Sequence, residues 1–162
     1  MYIEEVKDRL YSGTDEEKRT AQFVLIEVFL TILKLFSPFM PHIAEECYQS
    51  LNALKKKEKS ITTTEYPKAD ASLINDFYEK VGEHKTEVIS TIRKYKNSKG
   101  LALNKELKRV VLYLEDSSML EYIEAAKETI RKTCKIGSFE IQIGENANAI
   151  EINKKMRVLI EE

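Results

Sequence analysis

The sequence predicts a mainly α-helical chain in which a helical bundle over residues 1–99 is followed by a small α+β subdomain over residues 100–162. Three observations lead to this fold class. The 162 residues include only five glycines and three prolines, which favours long regular elements over tight turns. Apolar residues recur with a helical period through most of the first part. After Gly100 the apolar period changes to two, and short runs rich in β-branched residues appear.

Four helices account for the first part of the chain. Residues 2 to about 11 form a short amphipathic helix, and Thr14 with Glu17 forms a capping box that opens the next one. That second helix contains AQFVLIEVFLTILKLFS, which is apolar on more than one face. We therefore expect it to be the central helix of the bundle, packed on several sides. A third helix starts at Pro41, and a long fourth helix runs from about Ala71 into a basic stretch.

The second part predicts the element order β-α-β-β-β. The run RVVLYLE is a short strand, and Ser118 with Glu121 forms a capping box for the helix that follows it. Three further runs, SFEIQIG, AIEIN and MRVLIE, alternate apolar and polar residues as half-buried strands do. The end of the helix carries three cations that suit the negative end of its dipole, namely Arg131, Lys132 and Lys135.

Composition excludes several classes of protein. Charged residues make up 33% and hydrophobic residues 43%, a balance typical of a globular chain and not of a disordered one. Cys47 and Cys134 lie far apart and have no paired spacing, so we expect reduced thiols and a cytoplasmic location. The opening MYIEEVKDRLY lacks the apolar core of a secretory signal, and no apolar run approaches the length of a membrane span.

The stretch IRKYKNSKGLALNKELKR, residues 92–109, carries the clearest functional signal. It holds seven basic residues and one acid, a net charge of +6, which leaves −7 for the rest of a chain whose net charge is −1. Cations at a helix end are also common for structural reasons. An aromatic residue among the charges and a turn at Gly100 favour an RNA-binding surface. The candidate phosphate contacts are Arg93, Lys94, Lys96, Lys99, Lys105, Lys108 and Arg109, and Tyr95 is the candidate for stacking on an unpaired base.

The sequence offers no catalytic constellation. His42 and Cys47 are five residues apart on one helix and point in different directions, so they suit no metal. His84 lies on an apolar stripe, where a structural histidine is the usual case. Glu45 and Glu46 are adjacent and diverge, so helix-end electrostatics is the better assignment. The five glycines are isolated and build no phosphate loop, and we expect no catalytic residue, metal site or cofactor site in this chain.

The stretch LKLFSPFMPHIAEECYQSL resembles the helix–turn–helix signature in the anticodon-binding domain of class I aminoacyl-tRNA synthetases of the valyl, isoleucyl and leucyl group. Cys47 and Tyr48 depart from that pattern, since the family often has an aliphatic residue and Trp there. The segments SITTTEYPKAD and IRKYKNSKGLALNKELKRVVLY most resemble archaeal-type valyl-tRNA synthetases, so the resemblance spans most of the chain. The residues that match the signature core are Pro38, Phe39, Pro41, His42, Ile43, Ala44, Glu45 and Glu46.

The resemblance implies a helical bundle of the class I synthetase anticodon-binding type that holds the anticodon arm of tRNA. The complete enzyme would attach valine to tRNA(Val) and would use ATP and magnesium. Neither of the two signature sequences of the adenylate-forming site occurs here, so the resemblance implies an upstream catalytic domain in the same polypeptide. We expect a monomer whose eight candidate residues contact tRNA, while Pro41, Glu45 and Glu46 serve the structure.

Two other interpretations remain open at this point. The chain could be part of a leucyl- or isoleucyl-tRNA synthetase, because the signature is shared by that group. It could also be a helical protein-interaction module without RNA binding, whose basic stretch meets an acidic patch on a partner. Binding of tRNA that weakens with salt would distinguish RNA recognition from such a module.

Overall fold

The computed structural model describes residues 2–52 and 59–161. It confirms a mainly α-helical chain that ends in β-α-β-β-β. The helices are α1 (Tyr2–Ser12), α2 (Asp15–Phe36), α3 (Pro41–Asn52), α4 (Asp76–Ser98) and α5 (Leu120–Cys134). The strands are β1 (Leu107–Leu114), β2 (Ile136–Ile143), β3 (Ile150–Asn153) and β4 (Met156–Glu161).

Contacts divide the chain into two compact units, one of Arg9–Leu73 and one of Met1–Asp8 together with Ile74–Glu162. This division does not coincide with the predicted boundary between residues 99 and 100. The reason lies in α4, which belongs to the predicted bundle but packs against α5 and the sheet. The boundary that separates independently folding domains remains a prediction.

In the unit Arg9–Leu73, α2 begins with the predicted capping box. The Glu17 backbone N–H donates to Thr14 Oγ1 at 3.3 Å, and the Thr14 N–H donates to Glu17 Oε2 at 2.8 Å. The two bonds satisfy N–H groups that a helix start leaves without partners. Residues of α2, α3 and a 3₁₀ turn at Ile61–Thr63 then form a small core of Leu33, Ala44, Tyr48 and Ile61.

The prediction that α2 is packed on several sides is wrong. Within α2 the buried side chains are Ala21 and Leu33, whereas Phe23 and Phe36 are 55% and 54% exposed. A helix that is apolar all round has more apolar surface than the one face carrying Leu33 can bury. Further exposed apolar side chains of α2 are Val28, Phe29, Ile32 and Leu35. Among the described residues no helix, α2 included, is long and apolar enough to cross a bilayer.

Glu45, the first acid of the signature, links α3 to the start of the 3₁₀ turn at Ile61–Thr63. Its Oε2 accepts hydrogen bonds from the Ile61 backbone N–H at 2.9 Å and the Ser60 hydroxyl at 2.8 Å. Its Oε1 accepts one from Gln49 Nε2 at 2.6 Å. Glu45 therefore has a structural role, as expected, although that role is loop closure and not helix-end electrostatics.

These hydrogen bonds predict a pH dependence for the unit Arg9–Leu73. The Gln49 amide, followed by the Ile61 N–H and the Ser60 hydroxyl, lowers the pKa of Glu45 below its ordinary value. A lowered folded-state pKa contributes stability that is present above the unfolded value and is lost as pH falls through the folded value. We expect Glu45→Gln to lower the melting temperature at pH 7 by a few degrees and to approach wild type as pH falls below about 4.

Thermal unfolding at pH 7, 5 and 3 checks this expectation. Glu46→Gln is the matched control, because it removes an equal charge from the neighbouring exposed position. A gap between wild type and Glu45→Gln that stays constant over this range would contradict the assignment.

In the second unit, α4 and α5 pack on one face of a four-stranded sheet with the order β2-β1-β4-β3. The parallel pair β1 and β2 is connected through α5, and β4 pairs antiparallel with both β1 and β3. The packed core includes Ile92 of α4, Ile123 of α5 and Leu112 of β1, each 0% exposed. This arrangement leaves the opposite face of the sheet without a helix from the described part of the unit.

The predicted capping box of Ser118 and Glu121 is not formed. Instead Asp116 Oδ1 accepts a hydrogen bond from the Ser118 N–H at 2.7 Å and starts a 3₁₀ turn over Ser117–Met119. The turn leads directly into α5, whose N-cap Met119 makes no side-chain capping bond. An aspartate two residues before Ser118 thus starts a turn in place of the predicted capping box.

Candidate nucleic-acid interface

The basic stretch comprises the end of α4, the loop that follows it and the start of β1, all within one unit. At the end of α4 the Gly100 N–H donates to Asn97 O at 3.0 Å and the Leu101 N–H donates to Lys96 O at 2.8 Å. Gly100 has a φ of +67°, which glycine adopts without strain. This pair of bonds is a Schellman motif, and it turns the chain where the sequence predicted.

Lys96 does not point to solvent, so the predicted phosphate contact for it is wrong. The residue is 1% exposed, and its Nζ donates to three backbone carbonyl oxygens. Burial lowers the pKa of this ammonium. The three acceptors are Leu103 O at 3.0 Å, Lys105 O at 2.5 Å and Cys134 O at 2.7 Å. A signal was present in the sequence, because position 96 continues the buried spacing of Val88 and Ile92.

Arg109 forms ion pairs with two carboxylates on the face of the sheet that carries no helix. Its Nε donates to Glu140 Oε1 at 2.9 Å and its Nη2 donates to Glu140 Oε2 at 2.7 Å. Glu161 of β4 lies 3.5 Å from Nη1. The hydrogen bonds from Arg109 lower the pKa of Glu140, and Glu140 in turn raises the pKa of Arg109. Glu140 fills the Nε–Nη2 edge and Glu161 lies beside Nη1, so two carboxylates compensate the charge of Arg109 and this predicted contact is not supported.

Lys105 and Lys108 do share a surface, as predicted. Together with Glu106 and Gly137 they line an open groove at the start of β1 and β2. A Cβ atom on Gly137 would lie 2.9 Å from Lys108 O, so the strand pairing leaves no room for a side chain there. Both lysines are exposed, and among the described residues no carboxylate lies within ion-pair distance of either one. Their charge is therefore available to a polyanion.

A second groove beside Glu106 contains cations that the sequence alone places only at the end of α5. Lys135 is exposed, and it adopts a left-handed conformation with a φ of 53°. Its carbonyl oxygen accepts the Leu107 N–H at 2.9 Å, which fixes this corner against the start of β1. Lys135 and the start of β1 are close only because β1 pairs with β2, so the sequence alone does not show that they are neighbours. The groove is lined by Asn104, Glu106, Arg131, Lys132, Lys135 and Ile136.

Two of these added cations already have partners. Arg131 Nη2 lies 2.9 Å from Glu128 Oε2, and Lys132 Nζ lies 3.3 Å from Asp8 Oδ2. The single exposed contact of Lys132 is weak and can exchange for a phosphate, whereas Arg131 is held by both oxygens of Glu128. The second groove therefore extends the positive surface, with Lys135 as its clearest contribution.

The other candidate residues on α4 lie outside both grooves. Lys94 is exposed but points about 200° away from Lys96 around the helix. Lys99 Nζ lies 5.9 Å from the centroid of the half-buried Tyr95 ring, within cation–π range. Arg93 faces α1, where its charge adds to the hydrogen bond from Lys7 in lowering the pKa of Glu4. RNA contacts of Arg93, Lys94, Tyr95 and Lys99 remain predictions.

Comparison with known proteins places these features in a family. The family described as the anticodon-binding domain of tRNA ligase matches residues 1–112. The valine–tRNA ligase of Thermococcus kodakarensis is 40% identical over 144 residues, which cover 89% of this chain and 16% of that protein. The valine–tRNA ligase of Archaeoglobus fulgidus is 40% identical over 112 residues, which cover 69% of this chain and 12% of that protein.

A third relative gives the same picture. The valine–tRNA ligase of Methanococcus maripaludis is 36% identical over 152 residues, with 89% of this chain and 16% of the relative covered. The chain thus spans less than a fifth of the length of these curated relatives. The resemblance to archaeal-type valyl-tRNA synthetases is confirmed, and the match over residues 1–112 shows that the chain belongs to the family of anticodon-binding domains of tRNA ligases.

Proposed function

We propose that this chain is the tRNA-binding part of a valine–tRNA ligase and that it holds the anticodon arm of tRNA(Val). The family match supports an anticodon-binding role, and the relatives named above support valine over leucine or isoleucine. The observation that carries the proposal is the groove of Lys105 and Lys108, two exposed cations without a carboxylate partner among the described residues.

The chemistry of this surface is phosphate neutralisation. Lysine is a compact charge with three donors, which suits contact with a sugar–phosphate backbone whose path varies. Such contacts position an RNA but carry no sequence information. Selection of tRNA(Val) would then come from contacts to unpaired bases of the anticodon loop. Lys105, Lys108, Lys135 and Lys99 are the four cations that we assign to phosphates.

A salt titration of tRNA(Val) binding tests the proposal. Neutralising a phosphate releases bound counterions, so the slope of log affinity against log salt reports the number of contacts. With four contacts we expect a slope between about −2.8 and −3.6. Fluorescence anisotropy of a labelled tRNA(Val) between 50 and 300 mM salt would measure it.

The comparison RNAs in this experiment separate the alternatives. A tRNA(Leu) and a tRNA(Ile) that compete as well as tRNA(Val) would contradict the assignment to valine. Absence of measurable binding to any tRNA at low salt would favour a protein-interaction module instead.

The remaining features concern a complete enzyme. We propose that a catalytic part of the same polypeptide uses ATP and magnesium, and that the protein is a cytoplasmic monomer. The free thiols of Cys47 and Cys134 agree with a reducing compartment. Within residues 2–52 and 59–161 no group of three His, Cys, Asp or Glu side chains could hold a metal ion.

A further inference from the structure

The buried Lys96 ammonium joins three separate segments of the second unit. Its backbone belongs to α4, two of its acceptors belong to the loop before β1, and the third ends α5. A lysine ammonium has three donors, and here each of them meets one carbonyl oxygen. Within the described chain no carboxylate forms an ion pair with Lys96.

A charge this deeply buried is tolerated only when its hydrogen bonds are satisfied. The carbonyl of Cys134 is well suited to the task, because the last carbonyls of a helix lack internal partners and carry its partial negative charge. The carbonyls of Leu103 and Lys105 must then stay within reach of the same Nζ atom. The position of the loop is thus set by a side chain that lies beneath it.

The loop fixed in this way carries Lys105 and leads directly into Lys108. The carbonyl of Lys105 faces inward and accepts a hydrogen bond from Lys96, while its exposed side chain lines the groove. Its N–H also donates to Ala102 O at 2.9 Å, which tightens the turn. The position of Lys105 therefore depends on the Lys96 hydrogen bonds, and so does the path by which the chain enters β1 just before Lys108.

We propose that Lys96 is a positioning residue for RNA binding: it orders the loop that presents Lys105 and Lys108, and it makes no contact with RNA itself. This inference rests on the proposed function of the groove. It assigns to the most buried cation of the basic stretch a role that differs in kind from that of its exposed neighbours.

Lys96→Met tests the proposal, because methionine fills the same space without the three donors or the charge. Lys80→Met is the matched control, since it removes an equal charge from an exposed position of α4 that is not among the candidate RNA contacts. We expect Lys96→Met to weaken tRNA(Val) binding at least 10-fold at 100 mM salt and to flatten the salt slope by about 1.4 to 1.8, the contribution of two phosphate contacts. Lys80→Met should leave the salt slope unchanged.

Hydrogen exchange of the free protein provides a readout that does not depend on RNA. In Lys96→Met the backbone N–H groups of Lys105 and Leu107 should exchange faster, while that of Val110 in the middle of β1 keeps its protection. Lys96→Gln, which retains two donors on a shorter side chain, should show a smaller change in the same direction. A folded Lys96→Met with unchanged exchange and unchanged slope would overturn the inference.

The remaining outcomes also decide the question. A loss of affinity equal to that of Lys80→Met would mean that only overall charge matters, and the positioning role would be contradicted. Global unfolding of both Lys96 variants would contradict the positioning role and would show that Lys96 stabilises the fold of the whole unit. If wild type binds no tRNA but Lys96→Met loosens the loop, the proposed function fails while the ordering role of Lys96 stands.

Discussion

Replacing Lys105 and Lys108 together by glutamate is expected to lower the affinity for tRNA(Val) at least 100-fold at 100 mM salt. A hydrogen bond to a charged group is worth about 1.5–3 kcal/mol, and about 1.4 kcal/mol corresponds to a factor of ten. The loss of two such contacts therefore gives about two orders of magnitude, and the two new negative charges add repulsion. Both side chains are exposed, so the melting temperature should move by less than about 3 °C.

Anisotropy titrations and thermal unfolding of the same preparations measure both effects. The matched control is Lys80→Glu with Lys154→Glu, which changes the net charge equally at two exposed positions outside the grooves. A control that weakens binding as strongly as the groove variant would show that the affinity is not localised. A groove variant that unfolds would instead assign Lys105 and Lys108 to the structure.

Replacing Ile92 by alanine is expected to cost about 2–5 kcal/mol of unfolding free energy, the range for a buried Ile→Ala change that leaves a cavity. Ile92 is 0% exposed and lies in the core that α4 shares with α5 and the sheet. The lost stability should therefore appear in the backbone amides of β1. We expect the protection of Val110 and Leu112 against hydrogen exchange to fall by about that free energy.

This substitution also tests where the chain divides into folding domains. If α4 belongs with the sheet, amides of α2 should keep their protection when those of β1 lose it. The reverse pattern would support the boundary predicted between residues 99 and 100. Ile143→Ala is the control within the same unit, because that side chain is 57% exposed and should cost less than about 1 kcal/mol.

The features that could be predicted from the sequence are those decided within one helical turn. Thr14 and Glu17 cap α2 because each needs only a partner three residues away. Pro41 begins α3 because its ring fixes φ and its missing N–H would have no partner there. The places of the last three strands along the chain follow from the alternation of apolar and polar residues. Such local rules gave the fold class with little error.

The parts that could not be predicted depend on residues far apart in the sequence. From the sequence, Arg109 is a surface cation without a partner. Its partner Glu140 is 31 residues away and comes beside it only when β1 pairs with β2. Lys96 is likewise one of several lysines in the sequence. What distinguishes it is an acceptor on Cys134, 38 residues away, which only the fold brings near. The apolar composition of α2 predicts that the helix favours burial. It does not predict which elements pack against the helix or how many of its faces they cover.

The hydrogen bonds of Lys96 also fix the number of residues in the loop. Its acceptors lie seven and nine positions further along the chain, at Leu103 and Lys105. One residue inserted or deleted before Leu103 would carry both carbonyls away and leave a buried charge with a single acceptor. Surface connections usually tolerate changes in length during evolution. This one should accept substitutions of its exposed side chains far more readily than any gain or loss of a residue.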